Sequence, residues 1–207
     1  MNQAGGAIDI PSDAAFPALA ELLDPFALRA ALADGMAHDA TAPRVDSVAL
    51  TYVRYKPSVS LLLGLEATLA GGERRTFTLK AYPDPLAAQQ LREKWSSRRP
   101  LEPLAGPAVF TLPRLNAVVV SFPNDASLPG LKVAANPDRL RLVLTERVLQ
   151  DGERARGKKL LLQPVKYKPE RRFVARLRVG FRVAESQERI KRWMYVRAYA
   201  GSDGEPG

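Results

Sequence analysis

The sequence predicts an α+β protein made of two tandem homologous units, each with helices packed beside an antiparallel β-sheet. Three observations support this prediction. Several segments alternate apolar and polar residues at period two and are bounded by Gly or Pro, as strands are. Asp-Pro and Asn-Pro pairs open segments with helical periodicity, with the proline at the first helical position. The same order of helices followed by strands occurs twice within 207 residues.

The repeat has a constant offset over most of its length. Residues 10–32 align without a gap with residues 122–144, and nine of the 23 positions are identical. A Tyr-Lys-Pro motif at 55–57 returns 112 positions later, at 167–169. A chance match of two Pro-rich loops is the alternative, but one offset that continues into the strands favours tandem duplication.

The first unit is assigned to residues 1–115. Asp13 is expected to cap a helix over residues 14–23, and Asp24 begins a second helix. A meander of strands follows at 45–56, 58–69 and 75–82, and the odd positions 61–69 of the long strand form an apolar row. A helix from Asp84 to about residue 98 and two short strands, 109–112 and 117–122, complete the predicted elements.

The second unit is assigned to residues 116–200. Asp125 and Asn136 start its helices, and its strands cover 160–168, 171–184 and 190–199. The apolar row of its long strand occupies positions 173–181, which lie 112 residues after the first row. Residues 151–159 are predicted to be a polar loop, and residues 201–207 a disordered tail.

Composition excludes several classes of chemistry. The chain has no cysteine, which rules out disulfides and thiolates, and a single histidine, His38, which cannot build a zinc site alone. No apolar run approaches the ~18 residues of a membrane span, so no membrane association is expected. The N-terminal residues lack the basic and apolar regions of a signal peptide, and the expected location is the cytoplasm.

The order of elements in the first unit resembles the N-terminal lobe of kinase-like proteins. Three strands with a lysine in the third, Lys80, are followed by a helix and two more strands. The segments 78–82, 122–131 and 167–177 are similar in sequence to the N-terminal regions of the aminoglycoside phosphotransferase superfamily, which includes maltokinase-like enzymes. The resemblance implies that Lys80 would hold ATP phosphates, with ATP and Mg²⁺ as cofactors in a complete protein.

The same resemblance implies that this chain is not catalytic alone. Phosphoryl transfer in this family uses a His-x-Asp-x-x-x-x-Asn loop and a later metal-binding Asp, yet the only histidine, His38, precedes Lys80. No Gly-rich phosphate loop has the required spacing. Glu93, the partner of Lys80 in sequence order, is predicted to face solvent because it lies opposite the apolar face of its helix. The chain would therefore need a C-terminal lobe to complete a kinase.

Charge supports a different function, that of a non-enzymatic interaction module. The whole chain carries a net charge of +9. Between Asp151 and Tyr199 there are 15 Lys and Arg against 5 Asp and Glu, a net +10, so the remainder of the chain is close to neutral. The long strand of the second unit carries an arginine row at alternate positions opposite its apolar row: Arg172, Arg176, Arg178 and Arg182.

This arginine row is predicted to contact an acidic surface or a polyanion. The first expected partner is an acidic protein chain or a C-terminal kinase lobe, and the second is nucleic acid. Phe173 and Phe181 belong to the apolar row and point inward, which argues against platforms for base stacking. A solvated face in a basic protein is the remaining alternative.

Overall fold

The structure is a computed structural model that describes residues 12–101, 103, 105–148, 153–155, 160–183, 186 and 188–201. The described residues form a mixed α+β fold with two compact units. The first comprises the described residues up to Ser97 and the segment that ends at Val120, and the second comprises Arg98–Leu101 and the residues from Ser121 onward. The boundary assigned from the sequence, 115/116, falls between the last two strands of the first unit. Apart from Gly201, the predicted disordered tail lies outside the described residues.

Three helices belong to the first unit: α1 (Leu19–Leu22), α2 (Pro25–Met36) and α3 (Pro85–Ser96). The predicted caps of α2 and α3 are present, because Asp24 accepts a hydrogen bond from the Phe26 N–H and Asp84 accepts one from Leu86. The prediction of a helix from residue 14 was wrong, since α1 is a single turn that begins at Leu19. Asp13 accepts one local hydrogen bond, from the Ala15 N–H, and its other carboxylate oxygen accepts from the distant Tyr55 hydroxyl and Ser58 N–H.

Five strands form the sheet of the first unit: β1 (Val45–Lys56), β2 (Ser60–Leu69), β3 (Arg74–Ala81), β4 (Val109–Leu112) and β5 (Ala117–Ser121). Their order across the sheet is β1-β2-β3-β5-β4, and α3 connects β3 to β4 along the chain. A turn of 3-10 helix at Pro113–Leu115 joins β4 to β5 and ends at Asn116 in the left-handed conformation. The meander predicted at 45–82 and the two short strands predicted at 109–112 and 117–122 are therefore observed.

The apolar row of β2 forms the centre of the first core. Its members are all completely buried: Leu61, Leu63, Leu65, Ala67 and Leu69. They pack with side chains of α1 and α2, among them Leu22, Leu28 and Leu32, in one cluster. Since side chains alternate across a strand, the period-two pattern alone was sufficient to place this face.

The second unit contains α4 (Gly130–Ala134), α5 (Pro137–Arg147), β6 (Glu153–Ala155), β7 (Leu161–Lys168), β8 (Arg172–Val183) and β9 (Arg189–Tyr199). Strand β8 lies at the centre of this sheet, with β9 along one edge and β7 and β6 along the other. The prediction that 151–159 is all loop was wrong at β6. Because β7 pairs with β8 only as far as Arg178, the remaining end of β8 is paired by β6 instead.

The apolar row of β8 is buried as predicted. Its members have no exposed surface: Phe173, Ala175, Leu177, Val179 and Phe181. Leu128 and Leu131 cover the start of the row, and Leu140 and Leu144 of α5 cover its end. The helices thus occupy one face of this sheet, and the even positions of β8 belong to the other face.

Candidate functional site

Lys80 lies near the end of β3, on the sheet face opposite the apolar row. Its cross-strand neighbour on β2 is Leu62, and its side chain is half-buried. The Lys80 ammonium lies 5.9 Å from the centre of the Tyr82 ring, which is within the range of a cation–π contact. Thr78, two residues earlier on the same face, is buried.

Glu93 is exposed on α3, as predicted from the helical periodicity. Its carboxylate accepts a hydrogen bond of 3.2 Å from the side-chain amide of Gln89 on the same helix. The face of α3 that packs inward carries Ala88 and Trp95, both buried. The structure therefore places Glu93 on the solvent side of α3.

Two turns precede Lys80 in the meander, and neither resembles a phosphate loop. In the turn between β1 and β2, Ser58 has a φ of 55°, and its N–H donates a hydrogen bond of 2.7 Å to the Asp13 carboxylate. That donor is satisfied by an anion already. The turn between β2 and β3 contains Gly71 and Gly72, both with positive φ and with open space around them.

A cleft of about 270 Å³ lies in the first unit between α3 and the β4–β5 connection. It is lined by Pro85, Ala88, Gln89, Arg92, Thr111, Pro113, Asn116 and Ala117, so Lys80 does not line it. Within the described part of the chain, no group of three or more His, Cys, Asp or Glu side chains is arranged to hold a metal ion.

The arginine row lies on the face of β8 opposite the buried row. Arg176 and Arg178 are exposed, and Arg172 and Arg182 are half-buried. The Nε of Arg172 is buried and has no hydrogen-bond partner among the described residues. The row therefore occupies the face predicted for it.

Strand register adds further cations to this face. Residues directly opposite in antiparallel strands point to the same side of the sheet. Arg182 is opposite Arg189, Gly180 opposite Lys191, and Val174 opposite both Arg197 and Lys166. We call the resulting surface the basic face, and its cations are Lys166, Lys168, Arg172, Arg176, Arg178, Arg182, Arg189, Lys191 and Arg197. No carboxylate occupies a paired position on this face in the described residues.

Three exposed aromatic side chains share the basic face. Trp193 is opposite Arg178, Tyr195 is opposite Arg176, and Tyr199 is opposite Arg172. Their exposed fractions are 45%, 62% and 55%. The guanidinium carbon of Arg176 lies 4.6 Å from the centre of a Trp193 ring, and that of Arg178 lies 5.6 Å away, so both arginines make cation–π contacts.

The sequence argument against aromatic platforms was correct that the two Phe point inward, but it left out the exposed aromatics of β9. It considered Phe173 and Phe181, which are buried, and gave no face to the aromatics of β9. A signal was present, because Trp193, Tyr195 and Tyr199 all occupy odd positions and thus share one side of the strand. Only the register of β9 against β8 shows that this side carries the arginine row.

The opposite face of the same sheet has a different character. Arg192 points to that side, where its guanidinium lies 4.7 Å from the ring centre of buried Phe181 and 3.3 Å from the Glu153 carboxylate. Arg192 therefore makes its contacts with residues of its own unit. The exposed cations and aromatics of the second sheet are accordingly concentrated on the basic face.

Among the described residues, no helix has the length and apolar character needed to cross a membrane. Comparisons with protein-family models, with curated proteins and with solved structures found no match to this chain.

Proposed function

We propose that the chain is the N-terminal, nucleotide-binding-lobe-like region of a small-molecule phosphotransferase and is not catalytic on its own. The observation that carries the proposal is the position of Lys80, on the third strand of a meander and followed by a helix and two more strands. This is the order in which kinase-like proteins place their phosphate-binding lysine. A cytoplasmic location, where ATP is available, accompanies the proposal.

The lack of activity follows from the surroundings of Lys80. Glu93 faces solvent, so the helix does not direct this carboxylate inward toward the strand lysine. The first turn before Lys80 already holds the Asp13 carboxylate, which would repel phosphate. The sequence also has no catalytic-loop motif, so metal binding and proton removal from a substrate would have to come from a C-terminal lobe.

Nucleotide binding tests this proposal directly. Binding of ATP with Mg²⁺ should be measured by calorimetry for the wild type and for Lys80→Ala, with Arg29→Ala as a control at an exposed cation of α2, the helix that packs on the other face of the sheet. We expect weak binding that is lost only in Lys80→Ala, and no transfer of phosphate to sugars or aminoglycosides. Equal affinity in all three proteins, or no binding at any of them, would remove the nucleotide-lobe interpretation.

A second function is favoured by the basic face. Nine cations share this face, and six of them are exposed, which suits a polyanion or an acidic partner. Mutual repulsion of neighbouring exposed cations is small in salt water, well under ~1 kcal/mol for each pair, so the face folds without a partner. We propose that this face binds a polyanion.

Heparin binding is the simplest test of this second function. The four-residue variant in which Arg172, Arg176, Arg178 and Arg182 are replaced by Ser should elute from heparin at much lower salt than the wild type. The charge-matched comparison removes two cations from each side of the unit: Arg176→Ser with Arg178→Ser on the basic face, and Arg139→Ser with Arg147→Ser at exposed positions of α5 on the helical side. Equal elution of these two double variants would assign the affinity to net charge and not to the face.

A further inference from the structure

We propose that the polyanion bound by the basic face is single-stranded nucleic acid, with bases stacked on the aromatic side chains of β9. The inference rests on the polyanion-binding function proposed above and specifies its ligand. It is carried by the position of Trp193, Tyr195 and Tyr199 on the same exposed face as the nine cations. Proteins that bind single strands combine these two features, a cationic track for phosphates and aromatic rings for bases.

The aromatic side chains are spaced for separate bases. Trp193 and Tyr195 are two residues apart on one strand, a rise of roughly 6.7 Å, and Tyr199 is roughly 13 Å further along. These distances exceed the spacing of bases in a continuous stack, so the strand would bind with its bases splayed onto individual rings. Arg197 lies between the two tyrosines on the same side, where it can contact a phosphate.

The arginines beside Trp193 extend the platform. Arg176 and Arg178 both hold their guanidinium groups near its ring, at 4.6 Å and 5.6 Å from the ring centres. A guanidinium held against an aromatic ring offers a planar surface for a base and keeps donors free for phosphate oxygens. Because these side chains are already held in place before binding, less side-chain conformational entropy is lost when the ligand binds.

The corresponding face of the first unit keeps Lys80 and Tyr82 at the positions of Arg197 and Tyr199, but it lacks the arginines and aromatic rings around Trp193. At the offset of 112 positions, Arg176 and Arg178 correspond to Gly64 and Glu66. At the offset of 117 that applies to the last strand, Trp193 and Tyr195 correspond to Thr76 and Thr78. Since those positions support the same strand pairing without aromatics or arginines, sheet formation does not require the residues of the basic face.

A duplex fits this surface less well than a single strand. Paired bases are stacked inside a duplex and cannot lie on side-chain rings, so a duplex would use only the cations. An acidic protein would likewise use the cations alone. The aromatic side chains therefore distinguish single-stranded nucleic acid from other polyanions.

The test compares four ligands of similar charge at equal salt: a labelled oligo-dT, the same length of abasic strand, a duplex and poly-glutamate. Affinity is measured by fluorescence anisotropy. We expect oligo-dT to bind most tightly, with roughly five-fold or more in affinity over the abasic strand for each base that stacks. We also expect oligo-dT to quench the fluorescence of Trp193. The other tryptophan, Trp95, is only 7% exposed, so its fluorescence should not respond to the ligand.

The variant Trp193→Thr with Tyr195→Thr installs the residues of the first unit. Both positions are substantially exposed, so the fold should survive, and circular dichroism verifies this. Oligo-dT should then bind no better than the abasic strand, and quenching should disappear. The control is Arg139→Ser with Arg147→Ser, which should retain the preference for oligo-dT.

The outcomes separate this proposal from the function on which it rests. Equal binding of oligo-dT, abasic strand and poly-glutamate would overturn base stacking and leave a face that binds polyanions without regard to bases. Tighter binding of the duplex or of poly-glutamate would overturn the single-strand assignment in favour of those ligands. Absence of binding by all four ligands at low salt would overturn both proposals.

Discussion

The Tyr167 hydroxyl donates a hydrogen bond of 2.9 Å to the Asp125 carboxylate, and 112 positions earlier the Tyr55 hydroxyl donates one to Asp13. In both units the same carboxylate oxygen also accepts from a backbone N–H in the next turn, that of Ser58 or Glu170. Both turn residues have positive φ, 55° and 58°. The carboxylate thus fixes a strained turn to the segment that leads into the helices, which explains why Asp, Tyr and the turn recur together.

The first prediction concerns the two tyrosines. Tyr167→Phe removes a donor from Asp125, which is only 5% exposed, and should lower the free energy of unfolding by about 1–3 kcal/mol. Tyr55→Phe should cost less, because Asp13 is more exposed and water can replace the lost donor. Urea denaturation of both variants measures the difference. A larger cost for Tyr55→Phe would show that burial of the carboxylate does not set the energy.

The second prediction concerns pH, because the fold shifts the pKa values of the two carboxyl groups in opposite directions. Hydrogen bonds from the Tyr55 hydroxyl and the Ser58 N–H lower the pKa of Asp13 below its ordinary 3.8. Burial raises the pKa of Asp125, although the Glu170 N–H and the Tyr167 hydroxyl oppose this shift. Asp13 therefore adds stability above its ordinary pKa and loses it as pH falls, whereas the stability linked to protonated Asp125 is lost as pH rises through its raised pKa.

The measurement is the free energy of unfolding of Asp13→Asn and Asp125→Asn between pH 3 and pH 7. The cost of Asp13→Asn relative to the wild type should grow as pH rises. The cost of Asp125→Asn should shrink over the same range, since the wild type then has a charged carboxylate in a buried position. Parallel pH dependences would refute the assigned difference in environment. Tyr167→Phe should raise the pKa of Asp125 further.

The starts of two helices and the buried faces of two strands could be predicted from the sequence because their signals are local. Helix caps such as Asp24 and Asn136, and the burial phase of β2 and β8, follow from residue order alone, and the structure has them as predicted. The roles of Asp13 and Asp125 could not be predicted in the same way. Their partners are 42 and 45 residues away in sequence, so only the tertiary fold brings the groups together.

The basic face shows the same division between local and long-range information. Alternation placed the arginine row opposite the buried row, because both lie on β8. The aromatics of β9 required the register between two strands, which depends on the length and path of the turn that joins them. Strand β6 could not be predicted from residue order either, because it pairs with the end of β8 that β7 does not reach.

The third prediction compares two side chains at equivalent strand positions that differ in burial. Leu62 and Val174 occupy corresponding positions 112 residues apart, but Leu62 is 1% exposed and Val174 is half-buried. Leu62→Ala should therefore destabilise the protein by about 2–5 kcal/mol. Val174→Ala should cost only about 1 kcal/mol, because its side chain keeps water contact in the folded state. Thermal denaturation tests this, and similar costs would show that Val174 is covered in solution.

The last prediction concerns the salt dependence of oligo-dT binding. Each phosphate neutralised on a single strand contributes roughly −0.7 to the slope of log affinity against log salt. Arg176→Ser with Arg178→Ser should make the slope less negative by about 1.4 if each arginine contacts one phosphate. The same variant should lose Trp193 quenching in part, because both guanidinium groups lie beside its ring.

Arg139→Ser with Arg147→Ser removes two charges from α5 and should leave slope and quenching unchanged. A slope altered equally by both pairs would mean that the affinity reflects total charge, and the basic face would then have no special part in binding.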